Sequence, residues 1–243
     1  MQSSPVDPTG AMSERHAGFV ESLGAFARQH RARAWQGDFG DFLTRVLPAN
    51  PAGLARTSHQ YLWDMLRWYG RESPGDDEHL KARELFRREL FGIDAPLGRV
   101  ADYFKAAAAG SDVGRRLLLL LGPPSGGKST LAILLKRGLE EYSRTEEGAV
   151  YAIAGSPLHE SPLNLVPASL RAEFRASYGI DVQGELSPWA RDRLLREYDG
   201  DYLRMPVERV FLSEATRVGV GTYAPHDPTT ADIADLVGSV DLS

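Results

Sequence analysis

The chain has 243 residues, 42% hydrophobic and 25% charged, ordinary values for a globular protein able to bury a sizeable core. Its formal net charge of -5 argues against a surface built generally for nucleic acid, and the absence of cysteine excludes disulfides, thiolate metal sites and cysteine catalysis. No apolar run approaches the roughly 20 residues that span a bilayer, and the first residues (MQSSPVDPTGAMSERH) lack the basic start and apolar stretch of a secretory signal, so a cytoplasmic protein without membrane or nucleic-acid partner is expected.

Residues 1–13, rich in Ser, Pro and Gly, read as a disordered leader. Residues 14–78 read as a helical N-terminal region and linker. Trp35, Phe39, Phe42, Leu43, Val46, Leu62, Met65 and Leu66 supply its apolar faces, and Pro48 and Pro51 break it into two helices. The polar stretch RESPGDDE, 71–78, is the linker. A domain of residues 79–243 follows. It opens with helical runs over 79–91, stopped by Gly92, and over 95–109, where Leu97, Val100, Ala101 and Phe104 share a face. Five leucines, Leu117 to Leu121, predict a strand buried on both faces of a parallel sheet. Thr130 to Glu141 (TLAILLKRGLEE) predicts a helix, and 149–154 (AVYAIA) a second strand. Further on come an amphipathic piece at 170–178, a helix at 187–198, and strands at 207–212 (VERVFL) and 217–223 (RVGVGTY).

Between the leucine strand and its helix lies GPPSGGKS, residues 122–129, which fits the phosphate-loop pattern G-x-x-x-x-G-K-[ST]. Gly122, Gly126 and Gly127 allow a sharp turn that brings backbone N–H groups close to phosphate oxygens, with Pro123, Pro124 and Ser125 completing the cradle. The helix beginning near Lys128, with Ser129 and Thr130 in its first turn, adds its positive dipole end beneath the same anion. Lys128 is placed to reach the β- and γ-phosphates and is the candidate catalytic residue. The Ser129 hydroxyl is the candidate Mg2+ ligand. ATP with Mg2+ is the cofactor this arrangement predicts.

Beyond the loop, the sequence resembles the N-terminal part of PrkA-type serine protein kinases, whose front half is an AAA-type ATPase module. The resemblance is carried by residues 35–65, by LFGIDAPLGRVADYFKAAAAG (90–110), by the loop, by VYAIAGSPLHESPLNLVP (150–167) and by 207–243, which includes RVGVGTYAPHDP. It implies a P-loop NTPase (AAA-type) α/β fold with a parallel sheet core, preceded by the helical segment and incomplete at its C-terminal side. It implies a protein substrate whose hydroxyl accepts phosphate, a possible homo-oligomer, and an adenine pocket lined by Phe91, Gly92 and Ile93. The same LFGI could instead cap a helix and pack into the core.

The acidic strand that AAA modules use to hold Mg2+ through water has no good match; the nearest is Glu214, at the end of VFLSE. The arginine finger and the kinase-like half would also lie beyond residue 243. His159-Glu160 reads as a possible proton carrier or as a turn with satisfied hydrogen bonds. Asp227, Asp232, Asp235 and Asp241 read as caps and solvated surface. Arg191, Arg193 and Arg196 could form the lid of a small-molecule phosphotransferase, but their helical spacing favours a solvated helix. Where relatives often carry cysteine, this chain has LSPWA at 186–190. A remodelling ATPase and a nucleotide-binding fragment without catalysis of its own remain as alternatives to a kinase.

Overall fold

A computed structural model describes residues 16, 18–25, 34–73, 75, 77–87 and 89–223. The principal elements in chain order are β1 (Gln36–Asp38), α1 (Ser58–Tyr69), α2 (Asp94–Ala108), α3 (Lys128–Ser143), β2 (Val150–Ile153), α4 (Arg171–Tyr178), α5 (Pro188–Tyr198) and β3 (Pro206–Val210). Shorter helical turns join them, and residues 18–25 are also helical. Local chemistry sets several boundaries. Thr57 and Gln60 close a reciprocal capping box at the start of α1. The Ser187 side chain accepts from the Ala190 N–H to start α5, with Pro188 at its first position. Gly179, at φ 70°, ends α4.

The chain divides into two compact units, each built from separated stretches of sequence. The first comprises 1–55 and 150–210. Its sheet has the order β1-β3-β2, with both pairs antiparallel: Gln36 faces Glu208, and Ile153 faces Val207. Its core gathers Phe39, Phe42, Ile153, Leu165, Leu194, Met205 and Val207, and the Phe39 N–H donates to the Met205 carbonyl at 2.8 Å.

The second unit comprises 56–149 and 211–243, described as far as 223. Met65, Leu66, Phe86, Leu97, Phe104, Leu131, Leu134 and Tyr142 form its core. Where α3 crosses this core it presents Gly138, and a Cβ there would lie 2.8 Å from the Met65 sulfur. Arg56 ties α1 to the far end of α3. It donates to Asp64 at 2.9 Å, to the Tyr142 hydroxyl at 2.8 Å and to the Glu147 carbonyl at 3.0 Å.

The described sheet departs from the expected parallel core. The 149–154 and 207–212 strands form as β2 and β3, but they are antiparallel neighbours. Leu117–Leu121 forms neither helix nor strand and has no strand partner among the described residues. Leu117, Leu118, Leu119 and Leu121 are 98%, 36%, 73% and 83% exposed, while Leu120 packs on the second core. Only Leu120 is covered, so the stretch is not buried on both faces of a sheet. At 217–223 a single bridge, Ser213 to Val218, replaces the expected strand, because the chain turns through Arg217 at φ 56°. The 14–72 stretch is not helical throughout either: Trp35 leads directly into β1. The disordered-leader expectation for 1–13 lies outside the described residues.

Candidate phosphate-binding site

The loop at 122–127 is shaped by two left-handed backbone positions, Ser125 at φ 60° and Gly127 at φ 80°. The Gly126 N–H closes a turn on the Pro123 carbonyl at 3.2 Å. Gly127 is then the N-cap of α3, and no side chain caps that end. The first N–H groups of a helix have no intrahelical partner, so this end offers bare donors and the positive end of the macrodipole. Lys128 curls back over the loop, its ammonium donating to the carbonyls of Gly122 at 2.9 Å and Pro123 at 2.6 Å. Ser129 is exposed and Thr130 half-buried in the same first turn. Gly122, Pro123, Pro124, Ser125 and Gly126 are all exposed. A cation, bare backbone donors and a neighbouring hydroxyl thus converge on one solvent-facing rim. That donor set suits a polyphosphate with its magnesium ion.

The expected adenine-side residues lie beside this loop. Leu90 and Ile93 abut Gly127: a Cβ there would meet Leu90 Cδ2 at 2.8 Å and Ile93 Cδ1 at 3.6 Å. Gly92, at φ 73°, makes the turn between them and leaves the Phe91 ring 80% exposed. Leu90 itself is buried, as the core-packing reading of LFGI has it, but it was not singled out as a residue beside the loop. The signal was its place immediately before Phe91 in LFGI.

Glu214, the acidic candidate, is elsewhere. Its carboxylate accepts from Lys136 and from the Thr222 hydroxyl, and its N–H donates to Glu140 at 2.7 Å. Lys136 lies two turns along α3 from Ser129, about 10 Å down the axis. The hydrogen bond from Lys136, then that from the Thr222 hydroxyl, and least the Lys136 charge, hold the Glu214 carboxyl below its ordinary range. Glu214 is thus a clasp between α3 and the turn that follows β3. Ser143 completes the clasp by accepting from the Leu212 N–H at 3.1 Å. Lys136, Glu140 and Ser143 recur at i, i+4 and i+7 on one helix face, a spacing visible in the sequence but not singled out there. Among the described residues no group of three or more His, Asp or Glu is arranged to hold a metal ion.

The remaining polar candidates resolve into local structure. Glu160 accepts from the Ser187 N–H at 3.0 Å and from its hydroxyl at 2.7 Å, bracing the start of α5. His159 is exposed in a turn at φ 47°. Arg196 pairs with Asp192 at 2.8 Å on the solvated face of α5, whereas Arg193, expected there too, is largely buried: it pairs with Glu197 at 2.9 Å, donates to the Ala154 carbonyl and lies over the Trp189 ring. The four tail aspartates lie outside the described residues.

Against known proteins, residues 75–243 match the PrkA AAA domain. The sequence is 44% identical over 225 residues to the protein named ATP-dependent protease PrkA of Bacillus subtilis (strain 168), covering 92% of this chain and 35% of that protein. It is 32% identical over 162 residues to the protein named serine/threonine kinase YeaG of Escherichia coli (strain K12), covering 63% of this chain and 24% of that one. The chain therefore spans about a third or less of the length of these relatives. No solved structure matches it. The phosphate loop falls within a domain match that covers more than half of the sequence, and the chain belongs to the PrkA AAA domain family, with the α/β P-loop ATPase fold that this implies.

Proposed function

We propose that this chain is the Mg·ATP-binding module of a longer PrkA-type enzyme that transfers the γ-phosphoryl group to a serine or threonine hydroxyl on another protein. The observation carrying this reading is the uncapped start of α3, where Lys128 leans over a loop held left-handed at Gly127. In that reading the bound nucleotide supplies the phosphoryl group. Lys128 would exchange its loop carbonyls for phosphate oxygens, and the backbone N–H groups of 125–130 would hold the remaining charge. Ser129 orients the metal, and Phe91, Gly92 and Ile93 flank the base. The protein acts in the cytoplasm, as a homo-oligomer, on a protein substrate. The leucine stretch 117–121 takes its place in a parallel core once partner strands lie against it.

The relative named an ATP-dependent protease supports a second reading, in which nucleotide turnover drives work on a polypeptide and no phosphate is transferred to it. Both readings share the binding step. Calorimetry with Mg·ATP tests it: the chain should bind, and Lys128→Ala should weaken binding at least tenfold while keeping its fold. Equal affinity in a folded variant removes the phosphate-loop assignment. Incubating γ-labelled ATP with the chain and a protein mixture separates the readings, since label on protein supports transfer and free phosphate supports turnover.

A further inference from the structure

The first unit carries a groove that none of this chemistry uses. A cavity of about 300 Å³ opens between the turn preceding α4 and the outer face of α5. Its floor is apolar: Leu165, Val166, Leu186 and Leu194 are each at least nine-tenths buried and line it. Its rim is cationic. Arg171 reaches back to the Gly184 carbonyl at 2.6 Å and pairs with Glu185 at 3.3 Å. Arg191 uses only its Nε, which donates to the Leu186 carbonyl at 3.0 Å. The terminal nitrogens of Arg191 have no partner among the described residues, and Glu185 is the one carboxylate in the lining. Asn164 holds the wall in shape by donating to the Glu185 carbonyl at 3.3 Å and crowding Gly184, where a Cβ would lie 2.2 Å from its side-chain oxygen.

The apolar surface extends past the cavity. Leu195, on the lip, is 67% exposed, and Leu170, at the start of α4, is 50% exposed. A single small molecule fills a closed pocket of roughly 300–1,000 Å³, and here the leucines continue outside one at the bottom of that range. An extended chain segment fits better: one aliphatic side chain enters the cavity, its neighbours cover Leu195 and Leu170, and a carboxylate meets the spare donors of Arg191. A basic segment would face the uncompensated charge of Arg191, since Arg171 is already paired with Glu185. Charge complementarity therefore selects the occupant.

We propose that this groove docks an acidic, leucine-type segment of the protein on which the enzyme acts, with Arg191 reading the carboxylate and Leu195 the aliphatic side chain. The proposal names the substrate class and rests on the reading of the chain as part of an enzyme that works on proteins.

Fluorescence polarisation tests it with a short fluorescein-labelled peptide alternating leucine and aspartate, titrated with the whole chain beside a counterpart carrying lysine for aspartate. The acidic peptide should bind saturably and the lysine peptide at least roughly tenfold more weakly. Leu195→Asp should lose the acidic peptide, and Arg191→Gln should narrow the gap between the two peptides. Both positions are exposed, so circular dichroism should be unchanged. Lys128→Ala should keep peptide binding, and Leu195→Asp should keep Mg·ATP binding, so this proposal and the nucleotide assignment fail separately. Equal binding of the two peptides, or full affinity in folded Leu195→Asp, overturns it. So does absent peptide binding with a wild-type dimer that Leu195→Asp dissolves, which would give the groove to a second copy of the chain.

Discussion

Gly127 and Lys128 are neighbours with opposite liabilities. Gly127 holds φ 80° under the side chains of Leu90 and Ile93, so it resists any Cβ for two separate reasons. Left-handed backbone costs a non-glycine residue about 1–2 kcal/mol, and the methyl would also press on Leu90. Gly127→Ala should therefore lower stability by about 1–3 kcal/mol in urea unfolding and weaken Mg·ATP binding as well, because the loop can relax only by moving. Lys128→Ala should weaken binding with little change in stability, since its present partners are exposed loop carbonyls. Similar losses of stability in both variants would contradict this division. Glu214 makes a pH-dependent prediction. Lys136 and Thr222 hold its carboxyl below the ordinary glutamate value of about 4.3. A depressed folded-state value means that the clasp contributes fully above that ordinary range and is lost as pH falls through the lower, folded value. Amide exchange of Leu212 and Glu214 should thus be insensitive to pH-driven opening between pH 7 and 5 and should open only in more acidic solution. In Glu214→Gln the acid-dependent opening should vanish, and an identical acid profile in that variant would remove Glu214 as its source.

At the scale of elements, Arg56 explains how α3 is anchored at the end away from its loop. Its side chain is 9% exposed, its guanidinium lies 4.9 Å from the Tyr61 ring centroid, and three of its hydrogen bonds converge on Asp64, Tyr142 and Glu147. Arg56→Ala leaves Asp64 and the buried Tyr142 hydroxyl short of a donor. Breaking a buried pair costs about 3–5 kcal/mol. Asp64 is a third exposed here, so a loss of about 2–3 kcal/mol is expected in urea unfolding, and a loss below 1 kcal/mol would show that water replaces these bonds. Helix α3 was legible in sequence because glycine loop, lysine and apolar spacing all agree there. Strand β1 was not: three residues, Gln36–Asp38, become a strand only by pairing with Pro206–Glu208, far along the chain, and no local pattern encodes that partner. Glu214 was misplaced for a related reason. An acid ending an apolar run resembles a metal-holding strand end, but its location is decided by Lys136, which sits in a different element. The turn at 90–93 was legible as a motif, whereas its contact with Gly127 required the fold.

For the whole molecule, the leucine stretch 117–121 is the main exposed liability. Five leucines in sequence read as doubly buried, yet only Leu120 packs on a core. A segment without a strand partner among the described residues and with four exposed leucines is a template for pairing with another strand. As a separate molecule, this chain should therefore associate as concentration rises, with partner strands meeting along 117–121. Replacing Leu117 and Leu119 by lysine puts charge at exposed positions, where neither residue contributes to the core. Stability should change by no more than about 0.5 kcal/mol per site, while sedimentation velocity should show association shifting to markedly higher concentration. Leu120→Lys is the contrasting variant: its side chain packs on the second core, so it should lower the melting temperature. A wild-type chain that stays monomeric at the highest soluble concentrations would mean that the stretch is satisfied by water alone. Association that survives in Leu117→Lys/Leu119→Lys would assign it to another surface. Loss of association in that variant, with its melt unchanged, would identify 117–121 as the surface through which copies of the chain meet.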